Sequence, residues 1–300
     1  MTIENKHAEA AYAALTRLKE LACTLDDWEF SQEKNGVRLY SKADESSPIP
    51  IVRGDVVLQG HEFTAQQVAA VATLPGCRRV WDEKYDGSEV KEIYKARDGI
   101  LEALFWSKIK TPWPISPRDI SATSLRDTSN ENECYVVMTS VEDEQIPPVS
   151  GSVRANLMIS GWKIIKTETG IAISYITQVD LAGSIPTTFL KGVQQQVPLC
   201  AGAVVNYIQE NGFPPITSGC TGIFKSENFN HEERKQIVNL DGTGECKWLI
   251  SNKMYPNGVK ISVVGSGGNA IESIVDGENG NKIAIVSGIN GPTTITIDQA

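Results

Sequence analysis

Between about Glu89 and Leu181 the chain reads as one strand after another, and several of those strands are apolar on both sides. Segments near 89–96, 100–110, 118–126, 133–142, 152–165 and 170–181 are divided by turn signals such as Asp98-Gly99 and Thr169-Gly170. In Tyr135-Val136-Val137-Met138 neither face is polar. A sheet wetted on one side would alternate cleanly, so both faces must be covered or one must line an apolar cavity. The rest of the chain has to supply that cover.

Two helical stripes are placed to do so. Ala11, Leu15, Leu18, Ala22 and Leu25 recur at helical spacing near the start. A longer stripe, about Thr188 to Glu210, carries Leu190, Val193, Val197, Ala201, Val204 and Ile208. Gly192 and Pro198 interrupt it, Gly212 sits at the C-cap position, and Pro214-Pro215 stops it. Between the stripes, Trp28 and Phe30 alternate with polar residues, Asn35-Gly36 predicts a tight turn, and Val37 and Leu39 alternate again. After a break at Pro48 and Pro50, Val52, Val56 and Leu58 share one side of a strand. Thr64 and Gln67 form a capping-box pattern for a helix through Val68, Val71 and Ala72, ended at Pro75-Gly76. Cys77 to Asp82 adds a further helical turn or two.

Composition shifts after this helix. Residues 214–221 read as a linker. Beyond it, 222–300 has no helical stripe, only short β-rich runs (Gln236–Leu240, Glu245–Ser251, Val259–Val264, Ala270–Val275, Lys282–Ser287, Thr293–Asp298) between Gly, Asn and Asp turns. The expected fold is therefore α+β. A curved antiparallel sheet closed by a helix occupies 1–213, followed by a small all-β sandwich.

The formal net charge of -9 argues against nucleic acid as the main partner. No stretch reaches the roughly 18 apolar residues that span a bilayer. The polar segment Met1 to Glu9 does not read as a signal peptide. Six cysteines lie far apart with no C-x-x-C pair; reduced thiols in a cytoplasmic protein are the simplest reading, with a disulfide left open by spacing. His7, His61 and His231 show no triad or metal spacing. Gly265-Ser266-Gly267-Gly268-Asn269 precedes a strand rather than a helix, so it reads as a hairpin loop and not a phosphate cradle. A binding protein is expected rather than an enzyme, with no metal and no cofactor.

Three clusters carry candidate function. Arg78 and Asp82 stand four apart on a helical turn around Trp81 and share a face. They are either a solvated ion pair or a polar pair in which Arg78 holds an anionic oxygen and Asp82 orients it. Trp106 to Pro114, then Ser116-Pro117-Arg118-Asp119, packs three prolines (Pro112, Pro114 and Pro117) into an irregular connection. Ile146-Pro147-Pro148-Val149 predicts a stiff exposed loop, either an ordinary crossover or a lid whose tip touches a membrane.

In this order the chain resembles the START (StAR-related lipid-transfer) family. The matching pieces are Cys77-Arg78-Arg79-Val80-Trp81-Asp82, Lys110-Thr111-Pro112-Trp113-Pro114 with Arg118-Asp119, Pro147-Pro148, Gly151-Ser152-Val153-Arg154-Ala155, and Val179 to Pro186, over about residues 10–213. The resemblance implies a helix-grip fold around one lipid, transient membrane contact, and transfer between membranes. The phosphatidylcholine-transfer branch implies Arg78 and Asp82 at the lipid headgroup. The positions at or near its choline cage are Ser107, Ile120 and Leu157, none aromatic, and those near the acid–base pair of sterol binders are Phe105 and Ser124. The implied cargo is thus a phospholipid of open headgroup, with a sterol as runner-up. Expected cavity and lid residues are Trp81, Trp106, Ile146, Val149, Arg154, Val193, Val197, Cys200 and Val204. A further reading makes the chain a lipid sensor whose C-terminal β domain binds a protein partner.

Overall fold

The computed structural model describes residues 3–183, 185, 192, 196–268 and 270–300. The chain divides into two compact units, Met1–Ala69 with Trp81–Val205, and Ala70–Val80 with Asn206–Ala300.

The chain opens with α1 (Ala8–Leu21), then β1 (Glu29–Lys34), β2 (Val37–Asp44) and β3 (Ser47–Gln59). Two short helices follow, α2 (Ala65–Thr73) and α3 (Pro75–Trp81). The strands are then β4 (Tyr85–Ile93), β5 (Leu101–Ile109), β6 (Arg118–Asn130), β7 (Glu133–Ser140), β8 (Val153–Arg154), β9 (Asn156–Lys166) and β10 (Gly170–Asp180), and the last helix is α4 (Cys200–Asn211). One large sheet runs in the order β1-β2-β3-β10-β9-β7-β6-β5-β4, antiparallel throughout, with β8 paired to β6 in parallel.

Local chemistry explains most of these boundaries. Asn35 and Gly36 both take positive φ, +52° and +75°, as a two-residue hairpin turn requires. The capping box forms: the Thr64 N–H donates to Gln67 Oε1 at 3.1 Å and the Gln67 N–H to Thr64 Oγ1 at 3.3 Å. Pro48 and Pro50 do not break the strand. They lie in the part of β3 that pairs with β2 but not with β10, whose ladder begins at Val52, so their missing N–H groups cost the sheet little.

The two-sided hydrophobicity has a two-sided explanation. α1 lays Ala11, Ala14, Leu15 and Leu18 on one face of the sheet, against Leu125, Tyr135, Val137, Ile159 and Ile176. Gly161 makes room there; a Cβ would stand 2.6 Å from the Leu18 side chain. Leu25, expected in the α1 stripe, lies beyond the helix and is exposed. The alternate residues of the same strands form a second cluster. Ile120, Ala122, Ala155, Leu157 and Leu181 are buried together, with Phe105, Met138, Val179 and Ile185 packed on them. Ser107, Ile120 and Leu157 are all buried.

The described part of the closing stripe is a 3-10 turn at Val197–Leu199 leading into α4. The stretch 188–191 and Val193 lie outside the described residues. Gly212, with φ +75°, sends its N–H to Ile208 O at 2.9 Å and ends α4 as expected.

The second unit holds β11 (Ile216–Cys220), β12 (Ile223–Asn230), β13 (Lys235–Asp241), β14 (Thr243–Ile250), β15 (Val259–Gly265), β16 (Ile271–Asp276), β17 (Lys282–Asn290) and β18 (Thr293–Gln299). They form two four-stranded antiparallel sheets, β11-β14-β17-β16 and β12-β13-β18-β15. Each buries alternate residues, among them Trp248 and Ile250, and Val238, Leu240, Ile295 and Ile297.

Three sequence expectations change here. Residues 216–220, read as linker from their Thr-Ser-Gly composition, are β11, because β14 supplies the pairing that composition does not reveal. Cys220 and Cys246 are not separate reduced thiols: they are opposite in that ladder and form a disulfide, while Cys23, Cys77, Cys134 and Cys200 are thiols outside any disulfide. Residues 70–80 group with the β unit rather than with 1–213. A Cβ on Gly76 would stand 1.9 Å from the Phe229 carbonyl oxygen, so α3 packs directly on the β12 backbone. Gly76→Ala should therefore destabilise this unit by about 2 kcal/mol, the cost of overpacking against an unyielding backbone. Chemical denaturation checks it, and an unchanged midpoint would contradict the packing.

Candidate functional site

A cleft forms where the 3-10 turn meets β3 and β10. Gly54 has no side chain, and the Pro198 carbonyl oxygen sits 2.2 Å from where a Cβ would be. One turn further on, Gly202 allows α4 to approach Val37 of β2, 2.7 Å from its own Cβ position. The space left between them is a small cleft open on one side. Its walls are Ile49, Pro50 and Val52 from β3, Thr177 to Asp180 from β10, the following Leu181, Ala182, Gly183 and Ile185, and Val197.

The polar groups of this wall are already engaged. Thr177 Oγ1 donates to Ile159 O at 3.1 Å. Gln178 Nε2 donates to Asp44 Oδ2 and to Ile49 O, both at 2.8 Å, and its Oε1 accepts from Arg17 at 2.9 Å. Hydrogen bonds from Ser46 and Gln178 hold the Asp44 carboxyl well below the usual carboxylate range. Asp180 Oδ1 accepts the Ala182 N–H at 2.8 Å. The wall therefore presents chiefly apolar surface to an occupant.

Beside this cleft, residues 110–116 make a tight turn. The Lys110 N–H donates to Lys84 O at 2.8 Å, the Ile115 N–H to Pro112 O at 3.0 Å, and Thr111 Oγ1 to Ile115 O at 2.7 Å and Ser116 O at 2.8 Å. The Trp113-Pro114 peptide is cis. The Trp113 indole at its tip is 93% exposed, while the side chain of Arg118 at its base is buried against the backbone of residues 116, 181 and 182.

The expected site residues scatter. Val197 lines the cleft. Val204 is fully buried in α4 and Cys200, its first residue, is half-buried. Val193 lies outside the described residues. Trp81 is half-buried and packs edge-to-face on Trp162, which stacks on Tyr175 at 4.3 Å between ring centroids. Asp82 follows α3 and accepts the Lys84 N–H at 3.1 Å; Arg78, in the last turn of α3, is half-buried.

Trp106, Ile146 and Arg154 are not among the residues of the cleft wall. The strand alternation puts Trp106 on the same side as Glu102 and Leu104, where Glu102 receives Tyr12 of α1. Ile146 is only 3% exposed, packed with Tyr94 and Leu104, so it anchors its loop instead of tipping it. Arg154 is occupied with Asp119, at 2.8 and 3.0 Å, and with the Ile146 and Pro147 carbonyls, which clips that loop down. Trp106 Nε1 donates to the same Asp119 oxygen. Val149 remains exposed. Local periodicity could not separate these cases, because the face a residue takes follows from register with a distant strand.

The histidines have structural partners. His7 pairs with Asp143 at 2.6 Å, and His231 Nδ1 is hydrogen-bonded to the Tyr207 hydroxyl at 2.7 Å, its pKa lowered by burial. Among the described residues no group of three or more His, Cys, Asp or Glu could hold a metal ion, and no helix is long and apolar enough to cross a membrane.

Comparison with known proteins agrees with this architecture. A family model described as START domain matches residues 9–205. The uncharacterized protein PA1579 of Pseudomonas aeruginosa is 22% identical over 180 residues, 58% of this chain and 82% of that protein. The phosphatidylcholine transfer protein of Mus musculus is 27% identical over 144 residues, 47% of this chain and 64% of that protein, so the match spans less than two thirds of it. Among solved structures, human StAR-related lipid transfer protein 5 superposes with a TM-score of 0.59 at 20% identity, covering 67% of this chain and 96% of that one. At that identity the likeness is one of fold.

Proposed function

Because the chain belongs to the START-domain family, we propose that it binds a single lipid, a phospholipid, against the apolar wall beneath the Val197–Leu199 turn and transfers it between membranes. The observation that carries this reading is the cleft itself: apolar walls, polar groups already spent on the protein, and a cover seated on Gly54. A container has a physical purpose. A two-tailed phospholipid buries on the order of 25 methylenes in a bilayer, so bare extraction into water costs roughly 20 kcal/mol. An apolar protein wall replaces the environment the tails leave.

The phospholipid assignment draws on the match of Arg78 and Asp82 to the phosphatidylcholine-transfer pattern and on the mouse relative of that name. In this reading Arg78 holds the headgroup phosphate and Asp82 orients it. Arg78→Leu should lower the phospholipid that co-purifies with the protein by about tenfold, the worth of one charge-assisted hydrogen bond. Mass spectrometry of extracted lipid checks it and also separates phospholipid from sterol. Unchanged phospholipid content would remove Arg78 from the role.

Membrane contact is transient in this reading, made from the aqueous side through Trp113. A rigid turn holds an exposed indole beside the cleft, next to the exposed Lys110. Indoles favour the membrane–water interface, and a neighbouring lysine suits anionic headgroups.

A further inference from the structure

β10 pairs with β9 as far as Asp180, opposite Asn156. The carbonyls of Leu181 and Ala182 therefore leave the sheet without strand partners and need others. One side chain takes both. Arg118 Nε donates to Leu181 O at 2.8 Å and Nη2 to Ala182 O at 2.9 Å, while Nη1 donates to Ser116 O. Arg118 is 3% exposed, and all three of its nitrogens are spent on backbone carbonyls.

Those carbonyls belong to two different loops. Leu181 and Ala182 begin the cleft wall that continues through Gly183 and Ile185. Ser116 closes the Trp113 turn, and its carbonyl also accepts Thr111 Oγ1. The wall side holds a strained backbone. Ala182 and Gly183 both take positive φ, +53° and +73°, and for Ala182 that backbone conformation is unfavourable unless its surroundings enforce it. A planar guanidinium can bridge both loops at once; an ammonium, a point charge on a flexible stem, cannot hold the same fork.

We propose that Arg118 is a positioning residue that couples the Trp113 turn to the cleft wall, holding the wall shut in water and releasing it when Trp113 meets a lipid surface. A shift of the turn draws Ser116 O away, and the fork no longer satisfies all three carbonyls. This rests on the lipid-binding reading above, so the test includes one measurement that needs no lipid.

The experiment compares the full chain with Arg118→Met and Arg118→Lys. The first measurement is amide hydrogen exchange at Ala182 and Gly183. The second is release of a loaded fluorescent phosphatidylcholine, to soluble cyclodextrin and, separately, to phosphatidylcholine vesicles. In Arg118→Met, exchange at both amides and release to cyclodextrin should rise about tenfold, and the vesicle-to-cyclodextrin ratio should fall by a similar factor. Arg118→Lys should lie between. A folded Arg118→Met with unchanged exchange and an unchanged ratio overturns the proposal. Should Arg118→Met fail to fold, the exposed Trp113→Ser carries the test. Vesicles should accelerate exchange at Ala182 and Gly183 in the unmodified chain and not in Trp113→Ser; acceleration in both overturns the coupling. If the chain loads no lipid, the binding reading fails, while the exchange comparison still decides the role of Arg118.

Discussion

Gly54→Val should yield a folded protein that carries little or no lipid. The Cβ of any residue at 54 would lie 2.2 Å from Pro198 O, 2.9 Å from its carbonyl carbon and 3.0 Å from its Cβ. Strand β3 cannot retreat, since Gly54 is paired with Leu39 on one side and Tyr175 on the other. The 3-10 turn must move, and Val197, beside Pro198, is part of the cleft wall. Overpacking of this kind costs about 1–3 kcal/mol or more, and here the cost falls on seating the cover. Lipid-to-protein ratio by mass spectrometry measures the effect, with far-ultraviolet circular dichroism confirming the sheet. Gly87→Val is the matched control, because nothing lies within 4 Å of its Cβ position. A Gly54→Val protein as fully loaded as that control would sink the cleft as the lipid site.

The opposite pattern is expected of Trp113→Ser. Bound lipid should be unchanged, because Trp113 is 93% exposed and outside the cleft wall. Transfer between vesicles should slow about tenfold. Burying about 60 Å² of an indole at the interface is worth roughly 1.5 kcal/mol, which is tenfold in membrane affinity. Val149→Ser, an exposed aliphatic tip on the other proline-rich loop, should matter less, since an aliphatic residue lacks the indole's preference for the interface. Equal rates for Trp113→Ser and the unmodified chain would exclude the turn from membrane contact, whatever the cleft binds.

Much of the stretch 1–213 was legible in the residues because its signals are local. Alternation located the strands from β4 to β10, Thr64 and Gln67 marked the start of α2, and Gly212 marked the end of α4. The family followed from ordered short motifs, and the matched region, 9–205, corresponds closely to the stretch on which they fall. The site was less legible. Trp106 and Ile146 looked like cavity or lid residues because aromatic and proline-rich loops attract that reading. The structure buries Ile146 among core residues and ties Trp106 to a buried carboxylate. Trp113 stood in the same quoted motif, but nothing in its neighbours signalled that its side chain would be the one left in water.

What the sequence determined by itself is the set of elements and the requirement that the sheet be covered on two faces, since periods of 2 and 3.6 residues are written along the chain. What only the tertiary structure decided is which backbones touch. Gly54 receives the carbonyl of Pro198, Arg118 spans Ser116 and Ala182, and Cys220 of β11 meets Cys246 of β14. Each joins residues whose separation carries no periodic signal, and each depends on strand register or on the absence of a side chain at one point. Register comes from the summed pairing and packing of whole strands, so the cleft, its cover and its latch come into being only once the sheet has formed.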